Sequence, residues 1–209
     1  MKKLSFFMAL SAMVFGVSAQ DVVLDFTSNA VWNLPVGAAN KATAVASFSN
    51  GNYSITLEAV SPDGYYFNST GSYLMLGKAG AKLTLPAFTS DVEKIEVVGN
   101  SGASTATVMN VYVGDIAVST ATTGIVGTNT YLIDANSQTA GTVYSIKVTS
   151  AHNAQITAVK IYFVASQEQV ATPVISPDGG AIDQPTMVSI TCATAGADIY
   201  YTTDGTTPS

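Results

Sequence analysis

The chain has 209 residues, with 8 lysines and arginines against 14 acidic residues, one histidine and one cysteine, for a formal charge of −6. An acidic chain without a basic cluster argues against nucleic acid as a partner, because phosphate binding needs Lys and Arg arrayed along a face. One histidine and one cysteine do not assemble a zinc site, and a single cysteine makes no internal disulfide.

The N-terminus carries Lys2 and Lys3, an apolar run from Leu4 to Val17, and Val17-Ser18-Ala19 before Gln20. This is the pattern of a Sec-type signal peptide over residues 1–19, with a small-residue cleavage site and a mature chain starting at Gln20. The apolar stretch, interrupted by Ser5, Ser11 and Gly16, falls short of the roughly 20 residues a spanning helix needs, so no membrane-spanning segment is expected in the mature chain. No cysteine follows the cleavage site to accept a lipid. The expected location is extracellular, cell-surface or periplasmic. Removing Lys2 and Lys3 with the leader leaves six basic residues against fourteen acidic ones, a charge of −8.

From Asp21 to Ala165 short runs of alternating apolar and polar residues are separated by Gly, Asn, Asp, Ser and Pro, the pattern of half-buried strands joined by turns. Val22, Leu24 and Phe26 share one side of the first strand. Tyr53, Ile55, Leu57 and Ala59 oppose Ser54, Thr56 and Glu58. Leu83 and Leu85 point inward against Lys82 and Thr84, as do Ile95 and Val97 against Lys94 and Glu96. Further strands are predicted over 108–113, 131–134, 143–149 and 156–164, the last with Val159, Ile161 and Phe163 inward and Lys160 outward. Lys94 and Lys160 read as solvent-facing charges that discourage edge pairing. About ten strands at this spacing, with charged residues only 11% of the chain, predict an all-β fold: an antiparallel jelly-roll-like β-sandwich over residues 20–165.

No catalytic constellation is legible in the chain. His152, in the turn Ser150-Ala-His-Asn153, has no orienting partner nearby in sequence. The carboxylates Asp25, Glu58, Glu93, Glu96 and Asp134 show no spacing that pairs two across a cleft. No cofactor is expected; Asp21, Asp25 and Asp134 are loose candidates for a structural calcium, which needs several converging oxygens. Sugar binding requires less, an exposed ring for the C–H face of a pyranose and amides or carboxylates for its hydroxyls. Trp32 and Asn33 in one early loop, and Asp63, Tyr65, Tyr66 and Asn68 in the next, are the candidate ligand-binding residues. The competing role for Trp32, Tyr66 and Phe67 is to fill the core.

Residues 166–172 are polar and mark a linker. After it, Pro173 and Pro177 bracket a strand, Val188-Ser-Ile-Thr-Cys192 alternates with Cys192 beside Val188 and Ile190 as a buried small apolar residue, and Ile199-Tyr-Tyr-Thr-Thr-Asp-Gly205 leads to Pro208. Asp204-Gly205 suits a tight turn. One of Tyr200 and Tyr201 is expected to be buried and the other exposed.

These features, over residues 171–209, resemble the chitobiase/β-hexosaminidase C-terminal domain, a family of immunoglobulin-like accessory modules of bacterial exported proteins. The resemblance implies an incomplete immunoglobulin-like β segment over 173–209, since the family's further strands do not follow before Ser209. Less specifically, Tyr73-Leu-Met-Leu-Gly-Lys, Lys82-Leu-Thr-Leu-Pro, Lys94-Ile-Glu-Val-Val-Gly and Ala158-Val-Lys-Ile-Tyr-Phe resemble jelly-roll or galactose-binding-like modules. Together they imply a non-catalytic accessory region of a secreted or surface protein that binds a glycan or polysaccharide. The alternatives are a structural or adhesive spacer, or the leading part of a hydrolase whose catalytic domain lies among further domains of the same polypeptide.

Overall fold

Alternation along most strands decides which side chains enter the core, and in the computed structural model, which describes residues 20–165, 171–177, 187–195, 197–202 and 206, the described strands form three antiparallel sheets. The chain divides into two units, one of Ser18–Ala165 and one that holds Ser166–Ser209.

In the first unit the strands are β1 (Gln20–Asp25), β2 (Ala46–Asn50), β3 (Tyr53–Glu58), β4 (Tyr66–Asn68), β5 (Tyr73–Leu76), β6 (Lys82–Thr84), β7 (Val92–Gly99), β8 (Val108–Val113), β9 (Ile116–Ala117), β10 (Thr122–Thr123), β11 (Gly127–Leu132), β12 (Ser145–Val148) and β13 (Ala154–Phe163). A six-stranded sheet runs β11-β7-β13-β5-β4, with β1 also paired to β13. A seven-stranded sheet runs β10-β8-β12-β6-β3-β2, with β9 also on β8. The remaining regular pieces of this unit are short 3₁₀ turns at Ala38–Asn40 and Ala135–Ser137. The fold is all-β and antiparallel, as the alternation implies.

The inward residues of both sheets form one apolar cluster. Leu24, Ile95, Val97, Ile156, Val159 and Ile161 come from the six-stranded sheet, and Ile55, Leu57, Leu83, Val111 and Ile146 from the seven-stranded one. Burying such side chains contributes roughly 1.5–3 kcal/mol each before the entropy of ordering is subtracted.

Two features position the outer face of the six-stranded sheet. The first is a bulge in β13: the register shifts between Ile156 and Ala158, so Ile156 and Val159 both face the core although their numbers differ in parity. Gln155, Ala158, Lys160 and Tyr162 are thereby all turned to the outer side. A bulge of this kind inserts one extra residue against the partner strand, here Thr157, whose hydroxyl donates to the Val98 carbonyl at 3.0 Å. The second is the edge at β4, where the Phe67 N–H donates to the Pro35 carbonyl at 2.7 Å and the Gly37 N–H to the Phe67 carbonyl at 3.0 Å. That coverage satisfies backbone groups an open edge would expose.

Several predicted details change. Lys94 and Lys160 lie on β7 and β13, which are interior strands, so they do not protect an edge. The strand expected at 131–134 begins earlier, at Gly127, because its outward residues Thr128 and Thr130 are polar and its hydrogen bonding to β7 is not visible in local hydrophobicity.

In the second unit β14 (Val174–Ser176) pairs antiparallel with β15 (Ser189–Thr191). Cys192 is half-buried rather than buried, and its thiol donates to the Ala171 carbonyl at 3.2 Å. Tyr200 and Tyr201 are both exposed, at 52% and 59%, so the expected burial of one of them does not occur; neither lies in a described strand, where alternation would separate them. The leader over 1–19, most of the linker, and the Asp204-Gly205 turn with Pro208 lie outside the described residues.

Candidate functional site

The β4–β5 hairpin supplies a group of aromatic and amide side chains on an outer face. Tyr66 on β4 is level with Met75 on β5, and Met75 with Gln155 on β13, so the three form one cross-strand row. Asn68 is level with Tyr73 in the next row. The inward residues of the same strands, Phe67, Leu74 and Ile156, are buried in the core.

The turn between the two strands holds the second row in place. The Asn68 amide donates to the Tyr73 hydroxyl at 2.9 Å and accepts from the Gly71 N–H at 2.9 Å. Gly71 is needed there because a Cβ would lie 2.2 Å from the Tyr73 ring. Asn100, at the end of β7, donates to the Gly71 carbonyl at 3.2 Å and accepts from the Gly102 N–H at 2.8 Å. Its own N–H donates to the Gln155 carbonyl at 2.9 Å. Burial raises the ionisation of the Tyr73 phenol above its usual range, and the neighbouring Tyr66 raises it further.

Tyr66 and Gln155 differ from these anchored groups. Both are half-buried, and among the described residues neither the Tyr66 hydroxyl nor the Gln155 side-chain amide makes a hydrogen bond within the protein. Met75, 9% exposed, lies between them. An apolar floor between a ring and an unengaged amide is a surface on which a ligand gains both van der Waals contact and hydrogen bonds.

Of the six residues singled out from sequence, Asp63, Tyr66 and Asn68 fall on or next to this hairpin. Asp63 is paired to Lys78 at 3.4 Å, just beyond β5. Tyr65 and Trp32 do not serve as stacking platforms. Tyr65 is 1% exposed, and its hydroxyl donates to the Ala44 carbonyl at 2.8 Å. Trp32 is also 1% exposed; it stacks on Phe26 at 5.3 Å, and its indole N–H donates to the Asp25 carbonyl at 2.6 Å. A buried ring with a satisfied polar tip is a core element. Tyr66, expected as a core alternative, lies on the outer face instead. Asn33 is exposed in the loop before the β4 edge, at a positive φ of 53° that asparagine tolerates better than most residues.

Gln155, Met75, Tyr73 and Asn100 were not singled out from sequence. They join the site through strand pairing between segments far apart in the chain, and no local signal marks them.

Further along the same face, Lys94 sits 4.1 Å from the centroid of the Tyr162 ring and 3.2 Å from Glu96, and the Tyr162 hydroxyl donates to Glu96 at 2.9 Å. Burial, then the bond to Glu96, pushes the Tyr162 phenol up. Other carboxylates are scattered. Glu58 pairs with Lys82 at 2.7 Å on the seven-stranded sheet, and Asp25 accepts from the backbone and hydroxyl of Thr27, both at 2.7 Å. Among the described residues no three His, Cys, Asp or Glu side chains converge as metal ligands, and Asp21 falls outside the described side chains. His152 is exposed in its turn. No helix of the described residues is long and apolar enough to cross a membrane.

Neither the curated proteins nor the solved structures contain a match to this chain. Residues 177–209 match the family model of the chitobiase/beta-hexosaminidase C-terminal domain, so the C-terminal segment is similar to that family, and an all-β antiparallel unit precedes it.

Proposed function

We propose that residues 20–165 form a glycan-binding accessory unit of an exported multidomain protein, and that the outer face of the six-stranded sheet at β4, β5 and β13 is its binding surface. The observation that carries this reading is the row Tyr66, Met75, Gln155, with a half-exposed ring, an apolar floor and an unengaged amide side by side. A pyranose presents a C–H face to the ring and hydroxyls to the amide, and Asn68 retains unused hydrogen-bonding capacity beside them. The signal-like N-terminus supports export, and the family match at 177–209 supports the accessory context.

The test is retention of the whole protein on affinity gels carrying neutral and acidic polysaccharides. Retardation by at least one gel is expected, and Tyr66→Ala is expected to reduce it about tenfold, the loss of roughly 1.4 kcal/mol of stacking. Migration unchanged by every gel, with the protein shown to be folded, contradicts the reading. The burial of Trp32 and Tyr65 favours a second reading, a structural spacer without ligand, and that same negative result would support it.

A further inference from the structure

Asn50-Gly51 is the only Asn-Gly pair in the chain, and it lies at the tip of the β2–β3 hairpin. Asn50 is level with Tyr53, so only Gly51 and Asn52 stand between the last paired residues. Gly51 is exposed, takes a φ of 59° that glycine adopts freely, and has nothing within 4 Å of where a Cβ would sit. Its backbone nitrogen is therefore unshielded on the side of the preceding residue.

An asparagine loses its side-chain nitrogen when the backbone nitrogen of the next residue attacks its side-chain carbonyl carbon. A fold prevents this by engaging either the amide or the following N–H. The side-chain amides of Asn29, Asn40, Asn68, Asn100, Asn110 and Asn129 are all held in hydrogen bonds. Those of Asn33 and Asn136 are not, but the Leu34 N–H donates to Asn29 and the Ser137 N–H to the Asp134 carbonyl. Asn52 and Asn153 precede Tyr53 and Ala154, which are held in the ladders of β3 with β2 and of β13 with β5. Asn50 escapes both restraints: among the described residues its amide makes no hydrogen bond, and the Gly51 N–H donates to no carbonyl.

We propose that Asn50 is a self-modification site, converted in the folded protein to aspartate and isoaspartate. Hydroxide takes the proton of the Gly51 N–H, and the nitrogen attacks Cγ of Asn50, which covalent linkage keeps close at hand. The Cγ–Nδ2 bond breaks, the departing nitrogen takes a proton from water and leaves as ammonia, and a succinimide ring remains. Water then opens the ring at one of its two carbonyls. Opening at Cγ gives aspartate, whereas opening at the backbone carbonyl gives isoaspartate, with the chain now running through the former side chain. Nothing is oxidised or reduced. Either product puts a negative charge at the hairpin tip, and isoaspartate also adds a methylene to the backbone there. Loop length sets hairpin register, so the added atom loosens β2, the end strand of the seven-stranded sheet. The site lies on the other sheet from the row Tyr66, Met75, Gln155 and is independent of the glycan-binding reading.

The whole protein is aged at neutral and at mildly alkaline pH beside a synthetic peptide of residues 47–53, and both are followed by peptide mapping with mass spectrometry. Isoaspartate is read separately, as methyl groups accepted from labelled S-adenosylmethionine through an isoaspartyl methyltransferase. Acid is expected at position 50 of the folded protein before any other asparagine converts, faster at the higher pH, with isoaspartate among the products. Gly51→Ala is expected to slow the conversion, because a Cβ crowds the attacking nitrogen. Asn50→Gln is expected to abolish methyl acceptance by the peptide that spans β2 and β3, since its longer side chain closes the ring less readily. Circular dichroism melts before ageing show that each variant is folded, and Asn50→Gln carries the comparison alone if Gly51→Ala melts early. An Asn50 still intact in the folded protein once the synthetic peptide has converted overturns the proposal. So does earlier conversion of another asparagine, or methyl acceptance that survives Asn50→Gln.

Discussion

Tyr65, Tyr66 and Phe67 are three consecutive aromatic residues, and only the strand assigns them sides: Tyr65 and Phe67 inward, Tyr66 outward. Sequence alternation is uninformative when every position is large and apolar, which is why Tyr65 and Tyr66 were equal candidates until the register was known. Where residue types do alternate, as in Val22, Leu24 and Phe26 or in Ile55 and Leu57, the inward set was legible and is buried. Gly99 shows the opposite limit. A Cβ there would lie 1.4 Å from the Ile125 carbonyl oxygen, a close approach between distant segments that nothing local announces. Gly99→Ala must push back the chain around Ile125, and it is expected to cost about 3 kcal/mol, the upper range for overpacking. Gly51→Ala, with φ at 59° and open space around it, is expected to cost about 1 kcal/mol through left-handed strain alone. Urea midpoints of the two variants check the contrast, and equal losses would show that the Gly99 approach is not tight.

At the scale of elements, most of the strands carrying the core were recovered from their period, whereas β2, β4, β5, β9 and β10 were not: all four residues of β5 are buried, so it shows no alternation, and the two residues of β9 or β10 carry no period. The bulge at Thr157 was equally hidden. It changes the parity of β13 partway along, and only the pairing with β7 reveals that Gln155 and Lys160 share a face. The edge role expected of Lys94 and Lys160 failed for the same reason, since strand order is a non-local property.

β11 offers a test of its own. Tyr131 is fully buried on it and shares a hydrogen bond with Thr122 of β10. Burial raises its phenol above the usual value near 10, more than the bond to Thr122 lowers it. The unfolded chain then releases this proton at lower pH than the folded one. The stability contribution is complete below about pH 10 and is lost as pH rises toward the folded value. Tyr65, Tyr73 and Tyr144 shift in the same direction, each chiefly through burial. Urea midpoints are therefore expected to fall from about pH 9 to about pH 11, and Tyr131→Phe to fall less steeply over that range. An unchanged slope in the variant would mean that Tyr131 is not among the tyrosines responsible.

For the whole molecule, composition and strand pattern describe an acidic all-β protein, and the family match covers residues 177–209. Neither identifies a surface. The two sheets have different outer faces. The seven-stranded sheet presents hydroxyls such as Ser47 and Thr56, 2.9 Å apart and bonded to each other. The six-stranded sheet presents Tyr66, Gln155 and Lys160, whose side-chain polar groups make no hydrogen bond or ion pair among the described residues, beside the mutually bonded Lys94, Glu96 and Tyr162. A ligand gains more where no internal bond must be broken, and on this ground we propose the six-stranded face as the binding face. The most direct measurement is a heteronuclear NMR titration of the whole protein with an oligosaccharide that the affinity gels identify, following side-chain amides and backbone together. The side-chain amides of Gln155 and Asn68 and the backbone of β4, β5 and β13 are predicted to shift in a saturable way, with the seven-stranded face unchanged. Saturable shifts confined to the seven-stranded face or to the Trp32–Asn33 loop would contradict the assignment.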